Sequence, residues 1–591
     1  YDQLGKGSLF TNIFGHPGWQ VCSQILADRR KWAIALSLTE GKLLTEQRGA
    51  AIGAELPRAA LAAGGYLGFR LTEFRNRKTL HRLEDSLSES RKRVATGDYR
   101  SAVQDLITRL SSRFMHMRVD EVSAGIEQAL AEVGAFTGVD RAYVYLYSED
   151  GQTITFFLRN DVAWSDGKPV TAGDFEYAWK RLLAPETAAQ YAYFLFDIEN
   201  ASQYNSGELT DPDQVGVKAL APDVLQVRLK KPVVYFPSIT TFMVTYPARE
   251  DVIRKHGDSW TEPENIVTNG PYILEEWQHE YKMVLKANPR HYEGKPSVDA
   301  IRIFVVQEPT TALTLYETGE LDYIELPPVA IPHFRSHPEY RNKPQLRGYY
   351  YGFNVQKPPF NDVLVRQAFA HAIDRSRIPK FLKGGELPSS SWIPKGMFAY
   401  NESIGLKFDP EKARSLLAQA GYPDGKGFPK VTAVFNTGDL NRFIGEFIQA
   451  QWKENLNVHI DFESQEWKVF LSRLDLDPPQ IFRLGWGADF PDPDNFMNLF
   501  IQSSGNNRLQ WSHPRYDELI ALGSTLKNPE ERKAVYDEAQ ILLTEKEVPM
   551  IPLFVSAQNL LVKPYVQGLK NNAMELLYLK RIQIQKANSA N

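Results

Sequence analysis

The stretch 154–188, ITFFLRNDVAWSDGKPVTAGDFEYAWKRLLAPETA, sets the structural rhythm of most of the chain. Ile154 to Leu158 is a short apolar run of β-branched and aromatic residues, the composition of a strand. Just before it, Ser148-Glu149-Asp150-Gly151 supplies turn chemistry and Ala142 to Tyr147 alternates like a strand, so Arg141 to Arg159 is expected to form a β-hairpin. Just after it, Thr171 and Asp174 form a capping box that opens a helix carrying Phe175, Ala178 and Trp179. The same grammar recurs downstream. Asp409-Pro410-Glu411 offers an N-cap, a proline at the first helical position and an early acid; Ala413, Leu416, Leu417 and Ala420 then form one face and Gly421 ends the helix. Asn528-Pro529-Glu530 opens another helix in the same way. Short strands alternating with punctuated helices predict an α/β fold.

At 591 residues the chain is too long for one core, since domains usually run to about 100–200 residues. Hydrophobic residues at 43% and charged residues at 24% are ordinary for globular proteins. A net charge of -4, a pI near 6.3 and the lack of a long Lys/Arg run argue against a nucleic-acid partner. The one cysteine, Cys22, excludes an internal disulfide and a thiolate metal cluster. The apolar segment Ala59 to Phe69, bounded by Arg58 and Arg70, is too short to span a bilayer, and no membrane span is expected in this chain. His333 and His337 are four apart, but Pro332 and Pro338 flank them and make a shared helix face improbable, so no metal is expected. There is no GxSxG, P-loop or GxGxxG, and hence no support for a catalytic centre or a nucleotide cofactor. The acidic run from Asp489 through Asp492 to Asp494 fits no EF-hand spacing and is expected to be a proline-fixed surface turn.

Residues 1–98 remain unassigned, with Phe74 to Asp98 mixing acidic and basic residues like a solvated helical connector. Val122, Ile126, Leu130 and Val133 then recur at helical spacing after Asp120. Over residues 99–151, DLITRLSSRF (105–114) and EVSAGIEQALAEVGAFTGVDRAYVYLYSEDG (121–151) resemble the opening of a GAF domain. The resemblance stops before the strands needed to enclose a ligand, so a working GAF pocket is not expected. An unrelated, mostly helical N-terminal segment is the expectation for this part of the chain.

From Gln152 to about Lys580 the sequence resembles the oligopeptide-binding branch of the ABC-transporter solute-binding proteins, family 5. The blocks that carry the likeness follow in family order: residues 154–188 quoted above, WTEPENIVTNGPYIL (260–274), NVQKPPFNDVLVRQAFAHAIDR (354–375), EKARSLLAQAGYPDG (411–425), SQEWKVFL (464–471), FRLGWGADFPDPDNF (482–496) and VPMIPLF (548–554). The resemblance implies a two-lobed type II periplasmic-binding-protein fold over 152–591. The expected parts are a small subdomain at 152–250, a first lobe from 251–350 with 555–591, and a second lobe at 351–554. It further implies an extracytoplasmic, monomeric receptor, not an enzyme, that captures oligopeptides for an ABC importer and works with its permease subunits. Main-chain pairing with an extended peptide gives affinity independent of sequence, and hydrated pockets accommodate varied side chains.

The resemblance also implies site residues. Asp489 stands where the family pairs an aspartate with the peptide α-ammonium group. The backbone around Trp486 and Gly487 stands where the ligand strand is paired. Arg483 stands where a basic residue meets a ligand carboxylate, or else makes a structural ion pair. Trp467 and Tyr191 match aromatic positions near the cleft, and Asn441, in FNTGDLNRF (435–443), matches a position facing a pocket. Two departures stand out. Neither the family's strand-rich opening nor its Leu-Asp-Pro-type motif is found in residues 1–151, and some relatives carry a cysteine pair where this chain has Arg347 and Gly487. A fused peptide-sensing signalling protein and a non-functional chimera therefore stay open as alternatives.

Overall fold

The computed structural model describes residues 20–27, 30–37, 145–148, 150–569 and 572–585. The chain divides into two compact units, residues 1–269 with 290–294 and residues 270–289 with 295–591.

In the first unit the expected hairpin is present: β3 (Tyr145–Tyr147) pairs antiparallel with β4 (Thr153–Phe157). Thr153 donates its N–H to the Ser148 hydroxyl at 2.8 Å, and Gly151 closes the turn at φ 74°, where a side chain would be strained. The sheet continues through β5 (Val217–Ala221) and β6 (Val224–Arg228), which pairs with β4. On its other side lie β1 (Gln20–Ala27) and β2 (Arg30–Ser37), giving the order β1-β2-β3-β4-β6-β5. The described part of the N-terminal segment is thus strand, where mostly helix was expected. Its two strands are separated by Asp28-Arg29, which lacks the Gly or Asn that announces a two-residue hairpin in sequence. The expected helices at 74–98 and 122–133 and the GAF-like stretch up to residue 144 lie outside the described residues.

Helix α1 (Ala172–Leu183) begins where the capping box placed it, with the Asp174 carboxylate accepting the Thr171 N–H at 2.7 Å. It buries Ala172, Ala178, Trp179 and Leu183, and the Trp179 indole donates to the Thr245 carbonyl at 2.9 Å.

The second unit opens with an antiparallel triplet, β7 (Tyr272–Gln278), β8 (Lys282–Ala287) and β9 (Ala300–Phe304). Its main sheet contains β10 (Tyr323–Glu325), β11 (Tyr340–Phe353), β12 (Leu387–Pro388), β13 (Val431–Asn436), β14 (Ile460–Gln465), β15 (Ile481–Gly487) and β16 (Met550–Val562). The order is β10-β16-β11-β15-β13-β14, with β12 beside β16. Pairing is antiparallel from β10 to β15 and parallel among β15, β13 and β14.

Both faces of this sheet are covered, as the near-continuous apolar character of its central strands requires. Tyr349, Tyr351, Phe353 and Ile481 pack toward α2 (Val363–His371), α3 (Pro410–Gln419) and α4 (Asp439–Leu456), meeting Phe369, Leu417, Ile448 and Trp452. Tyr350, Phe482 and Leu484 face the opposite core with Trp392, Phe496 and Phe500. The caps expected from sequence hold α3 and α6 (Pro529–Ile541): Asp409 accepts from Lys412 N–H at 2.9 Å, and Asn528 from Glu530 N–H at 2.9 Å. His333 lies in a single turn that ends at Phe334, so His337 does not continue a shared helix face.

Candidate functional site

The sheet of the second unit changes from antiparallel to parallel at β15, and the two partners of that strand differ in reach. β11 follows β15 from Phe353↔Ile481 to Arg347↔Gly487, whereas β13 meets it only at Ala433↔Ile481 and Val434↔Phe482. From Arg483 onward, one side of β15 has no strand partner among the described residues. Ala488 N–H donates to the Leu346 carbonyl at 2.8 Å, so the backbone groups of Ala488, Trp486 and Leu484 turn toward β11. Alternation leaves those of Arg483, Gly485 and Gly487 turned toward the open side. Beyond the bridge at Phe482 this side of β15 is an edge able to take one more strand.

Two charged groups bracket the edge. Arg483 lies over the Tyr349 ring, with Cζ 4.1 Å from its centroid, and donates from Nη1 to Asn436 Oδ1 at 3.0 Å. No carboxylate lies within 4.0 Å of it among the described residues, and its buried Nε has no hydrogen-bond partner. The cation is therefore positioned but not neutralised. Asn441, 6% exposed, braces this arrangement from behind: its Nδ2 donates to the Asn436 carbonyl at 2.8 Å and its Oδ1 accepts from the Tyr349 hydroxyl at 3.1 Å. Burial holds the Tyr349 hydroxyl above its ordinary pKa, with Arg483 acting the other way.

At the far end, burial raises the Asp489 carboxyl to a pKa of about 6, against a hydrogen bond from Asn495 Nδ2 at 3.2 Å and the opposing charge of Arg347. Asn495 organises the corner. Its Oδ1 accepts both the Asp489 N–H at 2.9 Å and the Trp486 indole N–H at 3.2 Å. Trp486 thereby packs against the core of the other face. Gly487 lies opposite Arg347, whose guanidinium is 3.1 Å from where a Cβ on Gly487 would stand.

Of the other expected residues, Trp467 is 45% exposed on the first turn of α5 (Trp467–Leu476), just beyond Gln465, the register partner of Asn436. Tyr191 belongs to the first unit, where its ring stacks on Tyr193 at 5.8 Å and meets Phe242 at 5.6 Å. The acidic run is a proline-fixed turn, but it is half-buried to buried and not a surface turn: Asp494 is 3% exposed, and Asp492 pairs with Arg532 at 2.7 Å. That long-range partner is what the local sequence could not show. Asn436, Tyr349 and Asn495 were also missed, because each acts through a fold-dependent contact. For Arg347 and Gly487 a signal did exist, since positions that some relatives bridge with cysteines must be close, and here they are cross-strand partners.

The family of bacterial extracellular solute-binding proteins, family 5 Middle, matches residues 140–508. The chain belongs to this family. The match begins ahead of β3, so that strand lies inside the family region, and the GAF-like likeness of residues 99–151 finds no support. The periplasmic oligopeptide-binding protein OppA of Salmonella typhimurium is 34% identical over 458 residues, spanning 74% of this chain and 83% of that protein. The probable deoxycholate-binding periplasmic protein YgiS of Escherichia coli is 32% identical over 449 residues, spanning 74% and 83%. Among solved structures, Haemophilus influenzae OppA in complex with RPPGFSPFR aligns with a TM-score of 0.67 at 30% identity, covering 75% of this chain and 89% of that one. The structural neighbours are two-domain α/β periplasmic binding proteins, and family 5 proteins are solute receptors, not enzymes.

Proposed function

We propose that the chain is an extracytoplasmic receptor that captures short peptides for an ABC importer, and that the open side of β15 is where the peptide main chain pairs. The observation that carries this is the bracketed edge: a strand open on one side, with a positioned cation at Arg483 and a half-buried carboxylate at Asp489. The two are six residues apart, about 20 Å along an extended strand. A peptide with its α-ammonium group at Asp489 and its carboxylate toward Arg483 runs antiparallel to β15 and pairs with Arg483, Gly485 and Gly487. Charge-assisted hydrogen bonds at both ends add to a ladder that reads no side chain.

Trp467 supplies an exposed aromatic surface for a ligand side chain. Asn441 acts through Tyr349 and Asn436, holding Arg483 in place. The receptor works as a monomer with the permease subunits of its importer. Its lobes follow the division at 152–250, 251–350 with 555–591, and 351–554.

Amide hydrogen exchange with and without a mixture of tri- to pentapeptides tests the proposal. Protection of residues 483–489 on peptide addition is the expected result. Protection by deoxycholate and none by peptides would overturn it, and would align this chain with its relative named for that ligand.

A further inference from the structure

We infer that Arg347 sets the charge preference for the first residue of the ligand, disfavouring a basic side chain there and favouring an acidic one. The inference rests on the peptide reading of the β15 edge.

Arg347 stands on β11, on the side of β15 away from the open edge, and is level with Gly487. A side chain there meets any residue larger than glycine at 487. With glycine in place, the guanidinium lies across β15: Cζ and Nη2 are both 3.1 Å, and Nε 3.5 Å, from the position a Cβ on Gly487 would take. The next strand position on the open side is about 4.8 Å beyond. The cation therefore projects over the strand toward the ligand's line. It also lies close enough to Asp489 to oppose the rise in that carboxyl's pKa, as expected for the diagonal cross-strand neighbour two residues along.

Its position is built. Glu575 pairs with Arg347 Nη2 and also accepts from Gln345 Nε2. Glu575 itself sits at φ 60° in a turn where Asn572 Oδ1 accepts the N–H groups of Met574 and Leu576 at 3.0 Å each, and Leu346 N–H donates to the Ala573 carbonyl at 2.6 Å. The turn is fastened to β11 and carries the counter-ion with it. At 45% exposure the Arg347 side chain stays in reach of a ligand. A ligand whose α-ammonium group is at Asp489 places its first side chain beside this guanidinium, where a second cation is repelled and a carboxylate is attracted.

The test titrates Glu-Ala-Ala, Lys-Ala-Ala and Ala-Ala-Ala into the full chain, Arg347→Met, Arg347→Lys and Gly487→Ala. The parent is expected to bind Glu-Ala-Ala more tightly than Lys-Ala-Ala. Arg347→Met should shift that ratio toward Lys-Ala-Ala by about fivefold or more, the scale of one partly screened charge pair. Arg347→Lys should restore the preference, and Gly487→Ala, which pushes the guanidinium back, should move it the same way as Arg347→Met. An unchanged Glu-to-Lys ratio in Arg347→Met overturns the inference. A failure of the peptide reading itself is seen separately, as absent binding of Ala-Ala-Ala to the parent.

Discussion

Asp489 combines two properties that pull against each other. A carboxyl held at about 6 by burial is costly to ionise, yet an ammonium ligand needs it ionised. In the ligand-free protein its pKa lies above the ordinary 3.8, so its contribution to stability is fully present below that value and is lost as pH rises through about 6. Asp489→Asn should therefore raise the thermal midpoint of the ligand-free protein at pH 7.5 and leave it near the parent value at pH 4, which calorimetric melting checks. Peptide affinity should run in the opposite sense, falling about tenfold between pH 7.5 and pH 5 as Asp489 protonates. Titration calorimetry of a tripeptide at the two pH values measures it, and a flat profile would contradict the assignment. The Arg483-to-Asp489 block was legible from its family likeness, but the raised pKa of Asp489 was not. It depends on the enclosure of the corner and on Asn495, and no local spacing encodes either.

At the scale of elements, the site exists because β13 ends its pairing with β15 after Phe482 while β11 continues for five more residues, Arg483 to Gly487. Strand existence was readable in period-two patterns, as in the hairpin at 145–157, and helix starts were readable in the caps at Thr171, Asp409 and Asn528. Where two strands part company was not readable, because the length of a parallel pairing is set by contacts far apart in sequence. The hairpin of β1 and β2 was missed for a different reason, the absence of a Gly or Asn between its strands. The brace behind the edge gives a sharp prediction. Asn441→Ala strips the Tyr349 hydroxyl of its acceptor and the Asn436 carbonyl of a donor, both in buried surroundings. A loss of about 1–3 kcal/mol in chemical denaturation is expected. Peptides with a free carboxylate should weaken more than their amides, because Arg483 loses its support; equal weakening would place Asn441 outside the site's framework.

For the whole molecule, the family match covers residues 140–508 and the relatives align over most of their length. If the missing family-type opening supplies part of the ligand ladder, each lost bond is worth roughly 0.5–1.5 kcal/mol. Replacing residues 1–151 with a family-type N-terminal segment should then tighten peptide binding at least tenfold in matched titrations, a factor equivalent to about 1.4 kcal/mol. Comparable affinities from both chains would show that residues 1–151 rebuild the missing pairing. The central claim, that a free peptide amino terminus is anchored at the β15 edge by Asp489, has a more direct test: calorimetric titration of tri-alanine and N-acetyl-tri-alanine into the parent and Asp489→Asn at pH 7.5. The parent should prefer the free amine by about 1.5–3 kcal/mol, the worth of a hydrogen bond to a charged group, and the variant should lose that preference. Equal affinities of the parent for the two peptides, or an undiminished preference in Asp489→Asn, would contradict it.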